Sequence, residues 1–151
     1  MVDAWQILSG ITDPEIPVVS ITELGIVREV TLVVDGIEVA ITPTYSGCPA
    51  IHMIEEEIVD RLQQAGYAEV RVKTVLAPAW STDWIAPAAR DKLKDFGIAP
   101  PGRVNLFPRS VVCPRCGAAR TERLSEFGST ACKAHYRCLE CLEPFDFFKP
   151  L

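Results

Sequence analysis

The sequence predicts an α+β protein: an open mixed sheet with helices in the order αββαβα, followed by a small cysteine-rich ribbon. Three observations predict this division. Residues 1–98 alternate between strand-like and helix-like apolar patterns and hold one cysteine. Residues 111–151 hold five cysteines. The segment 97–102, Gly-Ile-Ala-Pro-Pro-Gly, ends a helix and resists a new one. We therefore expect two domains, 1–98 and 111–151, joined by a Pro/Gly linker over 99–110.

Composition and charge exclude several classes of protein. The chain of 151 residues is 48% apolar, which suits a folded protein with its own core. Fifteen Lys and Arg against twenty Asp and Glu give a net charge of −5, and no segment clusters bases with aromatic residues. Nucleic acid is not an expected partner. The sequence shows no signal-peptide pattern and no membrane-length apolar run, so we expect a cytoplasmic protein without a membrane partner.

The chain begins with a predicted short helix and a β-hairpin. Asp3 suits the N-cap of a helix that runs through Ser9, and the prolines of the segment 12–17 predict a loop after it. Apolar residues then alternate over 30–34 and again over 37–41. Between these runs, Asp35-Gly36 is typical of the two central positions of a type I′ turn, which predicts a hairpin.

A helix and a parallel strand follow. Apolar residues recur at helical spacing behind Pro49, and Gly66 suits the position after the helix end. The residues of that apolar face are Ile51, Ile54, Ile58 and Leu62. Residues 69–76 are typical of a strand, and a strand–helix–strand succession of this length predicts a parallel crossover. A last helix is predicted over 87–96.

Two Cys-x-x-Cys pairs carry the strongest chemical signal. Cys113 and Cys116 form the first and Cys138 and Cys141 the second, with 21 residues between them. Four thiolates in this pattern suit tetrahedral Zn²⁺, and predicted strands at 121–127, 134–137 and 144–148 complete a zinc ribbon. A segment of about 40 residues is too small for a core of its own, which favours a structural metal. An iron–sulfur cluster on the same thiolates and four unliganded buried cysteines are the alternatives.

Two further cysteines are candidate thiolates. Cys132, beside Lys133, is either a small buried core residue or a solvent-facing fifth thiolate able to bind metal or a cluster transiently. Cys48 lies at the expected N-terminus of the long helix, where the helix dipole favours a thiolate, although a small core residue is the alternative. His52, four residues on, would be the base of a Cys/His pair or an ordinary surface residue.

The first domain resembles the SufT-like family of iron–sulfur assembly proteins. The residues that carry the resemblance are Asp13-Pro14-Glu15, the segment 20–27, Thr44 through Pro49 with its Gly-Cys-Pro, and Pro78-Ala79-Trp80. With the cysteine-rich tail, the whole chain resembles the PaaD (PaaJ) family, small proteins encoded with the phenylacetyl-CoA ring-epoxidase. The tail match includes the segment 129–134 and the closing Cys-x-x-Cys-x-Glu-Pro-Phe-Asp from Cys138.

The resemblance implies a maturation factor for iron–sulfur clusters in phenylacetate catabolism. It implies oxygenase components as partners, above all the iron–sulfur reductase, and possible self-association. The family's site maps onto Asp13, Glu15, Thr44 and Cys48, which would hold iron or an iron–sulfur cluster transiently, beside a structural zinc in the tail. Two rival functions stay open: a thiol enzyme that uses Cys48 with His52 as base, and a non-catalytic docking subunit of the oxygenase.

Overall fold

The computed structural model describes residues 3–45, 48–102 and 111–150. Their contacts divide the chain into two compact units, one ending at Trp80 and the other beginning at Ser81. None of the helices in those residues is long and apolar enough to cross a membrane.

The first unit contains an open three-stranded mixed sheet, as predicted. Strand β2 lies in the centre, antiparallel to β1 and parallel to β3. The parallel pair is joined by the long helix, as the strand–helix–strand pattern indicated. The elements are α1 (Ala4–Leu8), β1 (Val27–Val33), β2 (Gly36–Ile41), α2 (Ala50–Gln64) and β3 (Glu69–Thr74).

On one face of the sheet, apolar side chains of neighbouring strands lie opposite one another. Val39 of β2 pairs with Val30 on one side and Val72 on the other. Helix α2 packs against β3 and α1 and buries Ile54 and Ile58. Ile51, predicted on this buried face, is half-buried, and the fully buried position in the first turn belongs to Ala50.

The hairpin turn differs from the prediction. Val33 pairs with Gly36, so the two loop residues are Val34 and Asp35, and Gly36 is the first residue of β2. Gly36 does not have a positive φ. A Cβ at this position would overlap the Glu69 carbonyl of the neighbouring strand. Glycine is required here for close approach to the parallel partner strand and not for the turn, a tertiary reason that the local pattern does not reveal.

The second unit carries the predicted ribbon. Its sheet has the order β4-β7-β6-β5, with antiparallel pairing of β5 to β6 and of β6 to β7. The elements are a 3₁₀ turn (Thr82–Trp84), α3 (Pro87–Asp95), β4 (Ile98–Ala99), β5 (Thr121–Ser125), β6 (Lys133–Cys138) and β7 (Pro144–Phe148).

Strand β4 was not predicted. Ile98 and Ala99 pair in parallel with Asp146 and Phe147, so the residues just after α3 join the ribbon's sheet. Of the predicted linker, residues 103–110 lie outside the described residues. The prediction of two separately folding domains, one ending at residue 98 and the other beginning at residue 111, stays a prediction.

Candidate functional site

The four sulfurs of the second unit meet at one point. The Sγ atoms of Cys113, Cys116, Cys138 and Cys141 all lie within 4.8 Å of one another. The sulfurs of Cys113 and Cys141 are 3.8 Å apart, and those of Cys116 and Cys138 are 3.5 Å apart. Tetrahedral coordination with Zn–S bonds of about 2.3 Å separates sulfurs by about 3.8 Å. The four side chains therefore fit a tetrahedral metal ion.

Each Cys-x-x-Cys pair is held by a tight turn that closes on its first cysteine. The backbone N–H of Cys113 donates to the Ala118 carbonyl, and the N–H of Gly117 donates to the Cys113 carbonyl at 2.9 Å. Gly117 has a φ of +77°. This left-handed residue turns the chain back after Cys116, so both sulfurs of the first pair face the same point.

The second pair repeats the turn with a different residue at the left-handed position. The N–H of Cys138 donates to the Glu143 carbonyl at 3.0 Å, and the N–H groups of Glu140 and Cys141 lie 3.4 Å and 3.5 Å from the Cys138 sulfur. Leu142 has a φ of +63°. Leu142 was not among the predicted site residues, although its place after the second Cys-x-x-Cys corresponds to that of Gly117.

The turns also set the proton affinity of the thiols. The backbone N–H of Cys141, followed by that of Glu140, favours the thiolate and lowers the pKa of Cys138 to about 7. The Glu143 backbone N–H favours the Cys141 thiolate, but desolvation and the neighbouring sulfurs outweigh it and raise the pKa of Cys141 to about 12. Thiols ligate a metal ion as thiolates, so a divalent cation would bind to this group with release of protons.

The Cys48 thiol lies just before α2 and is 8% exposed. Burial raises its pKa above the ordinary 9.0, although the Ala50 backbone N–H and the Tyr45 side chain both lower it. The negative charges of Glu15 and Asp13 add to the rise. The thiolate expected from the helix dipole is therefore not favoured, because desolvation at this buried position outweighs the helix amides, and the burial agrees with the alternative of a small core residue. Tyr45, three residues before the thiol, is a partner that was not among the predicted site residues.

The Asp13-Pro14-Glu15 loop places two carboxylates within electrostatic range of this thiol. Asp13 is 6% exposed, and its Oδ1 accepts from the N–H of Glu15 at 2.7 Å and of Ile16 at 3.1 Å. This turn holds the aspartate in place. The Asp13 and Glu15 charges both act on the Cys48 thiol. The fold therefore brings together residues that are more than thirty positions apart in the sequence.

The carboxylates and the thiol do not form a closed ligand set. In the part of the chain that the structure describes, one group of three or more Cys, His, Asp or Glu side chains is close enough to share a metal ion. That group is the four ribbon cysteines. The charges of Asp13 and Glu15 act on the Cys48 thiol, but the three side chains are not close enough in this structure to share one ion, so the set is open. Thr44 is half-buried in the loop between β2 and α2, and residues 46 and 47 of that loop lie outside the described residues.

The structure distinguishes between the alternatives for Cys132 and His52. Cys132 is 4% exposed and its sulfur lies 3.0 Å from the Thr130 hydroxyl, which agrees with a buried core residue and not with a solvent-facing thiolate. The His52 side chain is 82% exposed and its Nδ1 lies 3.4 Å from Glu55 on the next helical turn. A buried thiol and an exposed imidazole with a different partner do not make a Cys/His pair.

Comparisons with known proteins cover both parts of the chain. The family model described as an iron–sulfur cluster assembly protein matches residues 2–77, and the model described as a PaaD zinc beta ribbon domain matches residues 100–149. A relative in Escherichia coli, named as a putative component of 1,2-phenylacetyl-CoA epoxidase, is 49% identical over 97% of this chain and 91% of its own length. The chain belongs to the PaaD family. Both predicted resemblances are confirmed.

Other known proteins match about three fifths of this PaaD-family chain. A Porphyromonas gingivalis protein named "Fe-S protein maturation auxiliary factor" is 30% identical over 58% of the chain and 84% of its own length. A domain of unknown function, DUF59, from Bacillus anthracis has a TM-score of 0.56 and 28% identity, over 60% of the chain and 87% of that structure. A conserved hypothetical protein from Thermotoga maritima shares the fold, with a TM-score of 0.52 and 24% identity over 60% of the chain and 90% of that structure.

Proposed function

We propose that this protein assembles or delivers an iron–sulfur cluster for the phenylacetyl-CoA ring-epoxidase complex, with the complex's iron–sulfur reductase as the recipient. One observation carries the proposal: the charges of Asp13 and Glu15 act on the Cys48 thiol, within the residues that match an iron–sulfur cluster assembly model. The names of the Escherichia coli and Porphyromonas gingivalis relatives support the complex and the maturation role, respectively.

In this proposal the cluster is a cargo that an incomplete ligand set holds for a short time. The Cys48 thiolate and the Asp13 and Glu15 carboxylates bind iron, while the Thr44 hydroxyl and the first amides of α2 hydrogen-bond to sulfur. One thiolate and two carboxylates bind iron more weakly than four thiolates do. An open set also leaves a coordination position for a ligand of the recipient, which transfer requires.

The ribbon has a different role in the proposal. Its four cysteines surround one point at distances that suit a tetrahedral ion, and two of them, Cys113 and Cys138, belong to the buried cluster that contains Ala99 and Phe145. A closed four-thiolate set holds its ion firmly and supplies folding free energy. We therefore assign a structural zinc to the ribbon and the transient cargo to the site at Cys48.

Anaerobic reconstitution with iron and sulfide tests the assignment. The wild type and Cys48→Ala are compared for visible absorbance and for cluster transfer to the apo form of the reductase. We expect Cys48→Ala to lose most of both. Cys132→Ala is the matched control, since it removes another buried thiol, and it should retain both. Equal occupancy and transfer by Cys48→Ala would exclude Cys48 as the cargo ligand.

A further inference from the structure

A groove runs along α2 beside the candidate thiol site. It has a volume of about 310 Å³, and both apolar and acidic side chains line it. Its lining residues are Pro14, Met53, Ile54, Glu56, Glu57 and Asp60. A second depression of about 380 Å³ shares Glu56 and Asp60 with it. These two carboxylates therefore border both hollows.

The acidic side chains of α2 differ in whether they bond to other side chains of the protein. Glu55 accepts a hydrogen bond from the Thr74 hydroxyl at 2.9 Å, and Glu57 pairs with Arg61 at 3.0 Å. Among the residues that the structure describes, Glu56 and Asp60 have no such partner, and both are exposed. They are four positions apart on the helix, a spacing at which like charges destabilise it. The repulsion between these two carboxylates is therefore unfavourable to the helix.

The apolar part of the groove is also open to solvent. The Met53 side chain is 59% exposed. Pro14 stands between Asp13 and Glu15, so the groove begins at the loop that carries the carboxylates of the candidate site. It continues along the helix that starts two residues after Cys48. A polypeptide seated in the groove would extend from the candidate site along α2.

We propose that this groove is the docking surface for a basic segment of the recipient polypeptide. Lys or Arg side chains of that segment pair with Glu56 and Asp60, and an apolar side chain packs against Met53 and Pro14. Charge complementarity selects the basic partner, and the flexible methionine adapts to the inserted side chain. This inference rests on the proposed function, because it names the chemistry by which the recipient is held beside the cargo.

Binding of a short amphipathic lysine–leucine peptide to the full chain tests the surface directly, with amide NMR shifts as the readout. We expect shifts confined to α2 and to Glu15, and a Kd that rises about tenfold in Glu56→Lys/Asp60→Lys. The control is Asp91→Lys/Asp95→Lys on α3, which makes the same charge change at the same spacing and should bind like the wild type. Met53→Ala, which keeps every charge, should also weaken binding.

Several outcomes would overturn the docking surface. The first is that the peptide does not bind to the wild type. The second is equal weakening of binding in both double variants, which would indicate general charge attraction. The third is amide NMR shifts outside α2 and its neighbouring loop. Transfer kinetics separate this inference from the proposed function. Loss of docking raises the recipient concentration for half-maximal transfer and leaves cluster occupancy unchanged. An unchanged half-maximal concentration in Glu56→Lys/Asp60→Lys overturns docking alone, whereas full occupancy in Cys48→Ala overturns the cargo site alone.

Discussion

Leu142 occupies, after the second Cys-x-x-Cys, the left-handed backbone position that Gly117 occupies after the first, with φ angles of +63° and +77°. The two turns are otherwise built alike: each closes with a backbone hydrogen bond between the first cysteine and the residue five positions later. A branched side chain in this conformation costs about 1–2 kcal/mol, whereas glycine adopts it freely. The ribbon therefore contains one relaxed and one strained turn.

Leu142→Gly should stabilise the ribbon. Relief of the left-handed strain exceeds the entropy cost of glycine, so the expected gain is about 0.5–1 kcal/mol. Thermal unfolding of the zinc-loaded protein measures it. Leu139→Gly is the control, because Leu139 lies in the same turn without a positive φ and should lose stability. A loss of stability in Leu142→Gly would mean that the exposed leucine makes contacts that outweigh the strain.

Replacement of any one of the four ribbon cysteines by Ser should unfold the ribbon and leave the first unit folded. Metal binding supplies much of the folding free energy of so small a segment, and three thiolates hold zinc far more weakly than four. Zinc content and amide NMR dispersion of Cys116→Ser measure the effect, with Cys132→Ser as the control that retains zinc. Unchanged zinc content and dispersion in Cys116→Ser would contradict the structural assignment.

Ile54→Asp should destabilise the first unit by about 3–5 kcal/mol, because it places a charge among buried apolar side chains. Ile54 is 3% exposed and belongs to the buried face of α2 in the first unit. Met53→Asp, one residue away on the exposed face, should change stability by less than about 1 kcal/mol. Denaturant unfolding followed by circular dichroism compares the two, and similar midpoints would show that the buried face is wrongly assigned.

His52→Ala should leave the alkylation rate of Cys48 and the biological activity nearly intact. The imidazole is exposed and pairs with Glu55, so it does not accept a proton from the thiol. Iodoacetamide labelling and complementation of a deletion strain measure the two properties. A loss as large as that of Cys48→Ala would instead indicate nucleophilic catalysis by a Cys/His pair.

Alkylation of Cys48 should be slower in the folded protein than in the unfolded chain below pH 9. Burial raises the folded pKa above 9.0, so the neutral thiol predominates and favours the folded state up to the unfolded pKa. That contribution is lost as the pH rises through the folded pKa. Mass spectrometry of the peptide that carries Cys48, after labelling in buffer and in urea between pH 7 and about 10, tests this. Faster labelling of the folded protein at pH 8 would mean that the helix amides outweigh burial.

The sequence by itself determined most of the local architecture. The 3.6-residue period of Ile54, Ile58 and Leu62 specified α2 and its buried face, and the alternation over 37–41 specified β2. The two Cys-x-x-Cys pairs specified the metal centre, because their chemistry and turn geometry are local and repeat within each pair. Such features depend on neighbours in the sequence, so a pattern of spacing is enough to predict them.

Only the tertiary structure decided the features that depend on distant neighbours. Gly36 is needed because Glu69 of another strand lies close to it. Strand β4 forms because its residues pair with the edge of β7, which is distant from them in the sequence. The Cys48 thiol follows the same rule: its position before α2 predicts a lowered pKa, but burial by the surrounding fold and the charges of the Asp13-Pro14-Glu15 loop raise it. Desolvation is a property of everything packed around a group, and sequence spacing carries no measure of it.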